Sequence, residues 1–175
     1  MPVAQKSGKL LAHRLAMRKS RITTEDIILD RYSTDYRCIP TTVFSPTEYS
    51  FVGFSESEAI AAHGEDGIEV YHREAIPLQF SLVKSNSKVA YMKVITTRSP
   101  EGADVPKGSD EKVIGVHYYG PGADEMIAGL AVAMKLGMTK RDLDTTVGVH
   151  PSTSEDLYGL DITKRSGADW RKTNC

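Results

Sequence analysis

EKVIGVHYYGPGADEMIAGLAVAMKL, residues 111–136, carries two hydrophobic rhythms on either side of a three-residue break. Up to Tyr119 it is rich in β-branched and aromatic residues, the composition of a strand. From Ala123 onward, Ile127, Leu130, Ala131 and Met134 recur at i, i+3, i+4 and i+7, one core-facing stripe of a helix. Asp124 and Glu125 in its first turn and Lys135 in its last match the helix dipole. Gly137 is placed to end it. The break, Gly120-Pro121-Gly122, starts like a dinucleotide fingerprint. Glu125, however, holds the place of the third glycine and puts a carboxylate where a helix N-terminus should meet a pyrophosphate. The triplet is read as a plain turn.

Working upstream, residues 88–97 (KVAYMKVITT) and 68–75 alternate as strands, and residues 111–119 complete a hairpin with the first of them. The polar, Gly- and Pro-rich stretch between, SPEGADVPKGSD, reads as a surface insertion. CIPTTVF (38–44) and residues 49–54 are two shorter strands. Pro40 suits an edge or strand end, and Cys38 is expected to be buried in its strand. Ser55 and Glu58 form a capping box ahead of a short helix that Gly64 closes. Thr139 caps another short helix downstream. Near the start, residues 3–16 read as a helix with Val3, Ser7, Leu11 and Leu15 on one face, and Pro2 fits its first turn. Residues 17–37 show no sustained period. Strands joined by hairpins and followed by helices predict an α+β fold, an antiparallel sheet with helices packed on one face.

The chain has 175 residues, 40% hydrophobic, enough for one packed core with an appendage. With 22 basic and 23 acidic residues its net charge is −1, which speaks against nucleic acid or an anionic membrane as partner. No apolar run is long enough for a transmembrane helix. Two cysteines, Cys38 and Cys175, are fewer than a disulfide-stapled secreted domain uses, so a reducing compartment is expected.

The chemistry concentrates in VGVHPSTSEDL, residues 147–157. Imidazole titrates near neutral pH, so a histidine held beside a carboxylate is a competent general acid–base, the carboxylate choosing its tautomer and stabilising the imidazolium. His150 and Glu155 are the candidates, with Pro151 restraining the backbone between them. The alternative is structural: Ser152 and Glu155 also spell a capping box, in which Glu155 only starts a helix and His150 is an ordinary satisfied histidine. His117 lies in a strand and reads as structural, and the remaining histidines show no metal-ligand spacing, so no metal is expected. Cys175 is the third candidate. Lys164, Arg165, Arg171 and Lys172 nearby would favour its thiolate, and the aperiodic tail from Thr163 is expected to be flexible.

At VGVHPSTSED the sequence resembles the FAD-dependent pyridine-nucleotide disulfide oxidoreductases, whose interface domain carries a His-Pro-(Thr/Ser)-x-x-Glu stretch. IPTTVFSPTEYSFVGFSESEA (39–59) is similar to that domain's entry. KVIGVHYYGPGADEMIAGLAVAMKLGMTKRDLDTTVGVHP (112–151) is similar to its hairpin, long helix and catalytic turn. MPVAQKSGKLLAHRL (1–15) resembles the helix ending the family's FAD domain, with Met1 where Thr is usual. The likeness covers essentially the whole chain. The tail motif Thr163-Lys164-Arg165-Ser166-Gly167 resembles the large thioredoxin reductases and thioredoxin–glutathione reductases.

This resemblance implies a division into 1–37, a remnant of the FAD domain and a connection; 38–162, the dimerisation domain; and 163–175, a redox-tail remnant. It implies FAD and NADPH as cofactors of a larger enzyme, with FAD touched here at most by Pro2, Val3, His150 and Pro151. It also implies a second identical subunit, paired head to tail, into whose site His150 reaches, and thioredoxin or a similar disulfide as substrate. The family's redox Cys pair, glycine-rich fingerprints and ribose-binding carboxylates have no counterpart in this sequence, so a fragment inactive by itself is expected. In the subfamily the tail ends in a redox pair, often Cys then selenocysteine, so a selenocysteine codon read as a stop after Cys175 is one expectation. The compartment expected is the cytoplasm, with the mitochondrion as alternative. The rival reading is a free-standing interaction protein that pairs with itself or with an intact reductase, without catalysis.

Overall fold

The computed structural model describes residues 2–19, 33–77, 80, 90–98 and 111–171. The chain divides into two compact units, Met1–Ile39 and Pro40–Cys175.

The first unit holds helix α1, Pro2–Lys19. The expected stripe of Val3, Leu11 and Leu15 is exposed, while Ser7, Leu10, Arg14 and Met17 are half-buried. Those four also recur at helical spacing. Leu10 beside Leu11 let two faces fit the same period, and the sequence pattern selected the wrong one. Cys38 is half-buried in a bend rather than inside a strand, because the strand begins only beyond Pro40, which has no N–H for a ladder.

The second unit is a five-stranded sheet with helices. Its elements are β1 (Thr41–Val43), β2 (Tyr49–Gly53), α2 (Glu56–His63), β3 (Ile68–Ala75), β4 (Ala90–Thr97), β5 (Val113–Tyr119), α3 (Ala123–Lys135) and α4 (Lys140–Thr145). The order across the sheet is β1-β2-β5-β4-β3, and every pairing is antiparallel. The fold is α+β, as the pattern of strands and helices predicts. The expected insertion at 99–110 and the start of the β4 run at 88–89 lie outside the described residues.

Register explains the core. Val52, Val116, Val94 and Tyr71 are cross-strand neighbours in one row, and all four are buried. Side chains alternate along strands, so Met92 and Tyr118 join them on that face. Against it pack Ile127, Leu130 and Ala131 of α3, with Leu143 of α4, Leu157 and Leu160. Each Ile or Leu taken fully out of water contributes roughly 1.5–3 kcal/mol. On the opposite face α2 adds a smaller cluster, Ala59 against Ile68, Val70 and Ile95, so the sheet is covered mainly, but not solely, on one side.

The helix signals fall where expected. Ser55 N–H donates to Glu58 Oε2 at 2.9 Å and Glu58 N–H to Ser55 Oγ at 3.3 Å. Thr139 and Asp142 repeat the arrangement at α4. Buried charge is paired: Lys140 Nζ lies 4.4 Å over the Tyr71 ring and bonds Asp144, and Tyr71 donates to Glu111 Oε2 at 2.7 Å. Burial first, and then the Glu111 carboxylate, push the Tyr71 hydroxyl up, which keeps it a donor.

The tail departs most from expectation. Up to Arg171 it is docked on β3 rather than flexible. His72 N–H donates to Ile162 O and Glu74 N–H to Trp170 O, both at 3.0 Å, and Lys164–Ser166 forms a 3-10 turn between them. The physical cause is that β3 is an edge strand, whose outward N–H groups need partners.

Candidate functional site

The chain leaves α4 and runs through residues 146–150 to a cis His150–Pro151 bond, then enters a 3-10 helix, Thr153–Gly159. Leu157 and Leu160 anchor that helix end in the main core, both essentially without solvent contact. Gly148 crosses close above it. A Cβ there would stand 2.7 Å from Glu155 Cβ and 2.9 Å from Glu155 Cα, distances no side chain tolerates. This close crossing brings the histidine over the glutamate.

His150 Nδ1 lies 3.0 Å from Glu155 Oε2 and 3.2 Å from Oε1. A carboxylate only accepts, so Nδ1 carries the proton and Nε2 is the basic nitrogen. The backbone N–H of Ser152 also donates to Glu155 Oε1, at 3.4 Å. One carboxylate thus both caps the 3-10 helix and holds the histidine ring. The His150 side chain is 80% exposed and that of Glu155 32%. Val147 and Val149, which precede the histidine in the chain, are 92% and 74% exposed.

The other expected residues are placed differently. Pro2 and Val3 stand in the first turn of α1, in the other unit. Cys175 lies outside the described residues. Of the cations expected to acidify it, Lys172 also lies outside the described residues, and the other three are engaged with acidic groups: Lys164 Nζ donates to both Glu56 oxygens at 2.8 Å, Arg165 to Asp66 at 3.2 Å and to Glu65 O at 2.8 Å, and Arg171 to Asp169 at 3.0 Å. Docking of the tail on the domain brings Glu56 and Asp66 to Lys164 and Arg165, which aperiodic sequence could not reveal, while Asp169 is a neighbour of Arg171 within the tail.

His117 is structural, as its strand position suggested. Its Nε2–H donates to Phe54 O at 2.9 Å and its Nδ1 meets the Tyr49 hydroxyl at 2.7 Å. Burial lowers its pKa, so it stays neutral. His72 is likewise lowered by burial, and its Nδ1 is 2.9 Å from the Tyr91 hydroxyl. Among the described residues no group of His, Cys, Asp and Glu is gathered to hold a metal.

The nucleotide cofactors can be tested against α3, the helix with the fingerprint-like start. Its first N–H, that of Ala123, donates to Glu48 Oε2 at 3.0 Å. A carboxylate of the protein fills the place a pyrophosphate would take, so this helix does not fit a dinucleotide. One residue with a part in the site escaped sequence reasoning: Gly148, whose need for closeness to Glu155 has no local signature.

The fold and site together define an antiparallel α+β domain with a carboxylate-held imidazole exposed at its surface. Residues 39–159 match the family described as pyridine nucleotide-disulphide oxidoreductase, dimerisation domain, and the chain belongs to it. It is 45% identical to thioredoxin reductase SEP1 of Emiliania huxleyi over 99% of its length, which is 31% of that relative. It is 40% identical to the mitochondrial thioredoxin reductase 2 of Drosophila melanogaster, again over 99% of its length and 30% of the relative. The chain therefore spans about a third of the curated relatives it matches.

Proposed function

We propose that the chain supplies the dimer-forming and acid–base part of a thioredoxin-reductase-type enzyme. In this reading residues 38–162 are the interface domain and residues 1–37 come from the FAD-binding part. FAD and NADPH are held by portions of the relatives that this chain does not span, with Pro2, Val3, His150 and Pro151 at the edge of the flavin. The observation that carries the reading is the exposed His150–Glu155 pair, in which the carboxylate holds the imidazole at Nδ1. A second identical subunit, docked head to tail, covers that surface and receives the imidazole.

The chemistry follows from the tautomer. With Nδ1–H held by Glu155, Nε2 takes the proton of an attacking thiol as its sulfur displaces one sulfur of a disulfide. The same proton then goes to the departing thiolate, so protons and electrons balance within the exchange. Glu155 stabilises the transient imidazolium. Cys175 is one half of the pair that carries the reducing equivalents onward: its thiol displaces one sulfur of thioredoxin or a similar disulfide, and a second thiol or selenol of the full-length enzyme then bonds to Cys175 and releases the reduced product. The compartment is the cytoplasm or, as for the fly relative, the mitochondrion.

The test uses the full-length enzyme. His150→Ala should lower thioredoxin turnover about 10²- to 10⁴-fold, while flavin reduction by NADPH, followed in a stopped-flow experiment, stays within about twofold. Unimpaired thioredoxin turnover would overturn the assignment.

A further inference from the structure

Trp170 is the sole tryptophan of the chain, and it closes a strap. Residues 162–170 leave and rejoin the same strand, with Ile162 O accepting from His72 N–H and Trp170 O from Glu74 N–H, both at 3.0 Å. The first limb of the strap is held by Lys164 on Glu56 and Arg165 on Asp66. The far foot is held by the indole. It packs against His72, ring centroids 5.7 Å apart and tilted by 31°, and edge-on against Tyr91 at 5.5 Å and 86°. His72 and Tyr91 are bonded to each other. Arg171 adds a parallel bridge to Glu74. The cage lies on the sheet face opposite α3 and belongs to no part of the His150 site.

Covalent geometry gives this foot a consequence. Cys175 stands four positions beyond Arg171, and an extended chain spans at most about 3.3–3.6 Å per residue, so its backbone stays within about 14 Å of that of Arg171. Were the foot released, the tether would begin at Gly167, or at Ile162 if the whole strap came away, giving 8 or 13 residues.

We propose that Trp170, seated between His72 and Tyr91, is a positioning residue that fixes the root of the tail carrying Cys175 and thereby sets how far its thiol can travel. This rests on the reading above, in which Cys175 relays reducing equivalents. Effective concentration falls as roughly the −3/2 power of tether length beyond its match. Lengthening the tether from four residues to 8 or 13 therefore slows the relay about three- to sixfold.

The experiment compares Trp170→Ala, Trp170→Phe and Cys175→Ser in the full-length enzyme. Trp170→Ala should lower kcat for thioredoxin about three- to sixfold, leave its KM and the rate of flavin reduction unchanged, and open the strap to trypsin at Lys164, Arg165 and Arg171. Trp170→Phe, which restores an aromatic foot, should recover most of the rate. If Cys175→Ser abolishes turnover while Trp170→Ala keeps full kcat and resists trypsin, the anchor is overturned and the relay stands. If Cys175→Ser retains turnover, the relay reading itself fails, and the kinetic role of Trp170 with it.

Discussion

Glu155 accepts from the Ser152 backbone and from the His150 ring with the same two oxygens. Its position is therefore restrained by a backbone cap as well as by the imidazole. Gly148 is the residue that permits it. Gly148→Ala would push a methyl into Glu155 Cβ and Cα, 2.7 and 2.9 Å away. The backbone must shift, so we expect a loss of about 1–3 kcal/mol in denaturant unfolding. Thioredoxin turnover should fall more than flavin reduction, since the carboxylate moves off Nδ1. The motif His-Pro-x-x-x-Glu was legible in the sequence as a pair of chemically apt side chains. That the pair meets, and that both readings of Glu155 hold at once, depended on how residue 148 crosses the 3-10 helix.

At the scale of elements, that 3-10 helix is short and poorly bonded by itself, and it stays in place because Leu157 is buried against the sheet and α3. Leu157→Ala should cost about 2–5 kcal/mol. It should also loosen His150, which shows as faster hydrogen exchange over residues 152–159 than over β4 and β5 in the same protein. The caps at α2 and α4, the three long strands and the stripe of α3 could all be read in advance, because each is written in residue types at short, fixed offsets. The strap could not. Its ties to β3 are main-chain hydrogen bonds, which any residue can make, and its salt bridges reach 99 to 108 positions away. The face of α1 was misread for a related reason: adjacent leucines satisfy a helical period on two faces, and only surroundings decide between them.

For the molecule as a whole, the two buried histidines predict how stability follows pH. His72 and His117 both have pKa values lowered by burial. Between their folded values and the ordinary value near 6.5 the unfolded chain binds more protons, so stability rises with pH through that window. It is fully present above about pH 6.5 and declines as pH falls. Glu56, held down by Lys164 and Lys93 against the opposing effect of its own burial, adds a loss of the same sign below the carboxylate range. Urea midpoints should therefore drop from pH 7.5 to 5.5, and His117→Gln should flatten that slope even if it lowers the midpoint throughout. An unchanged slope would place the proton uptake elsewhere. Short-range pattern was enough for the class of fold, most element boundaries and the candidate pair His150 and Glu155, because propensity, capping and alternation act over a few residues. Only the tertiary structure decided which helix faces are covered, that Glu48 fills the end of α3, that the tail binds β3, and that Gly148 seats Glu155 under His150. These are meetings of residues far apart in the chain or of backbone with backbone, and short-range pattern carries no record of them.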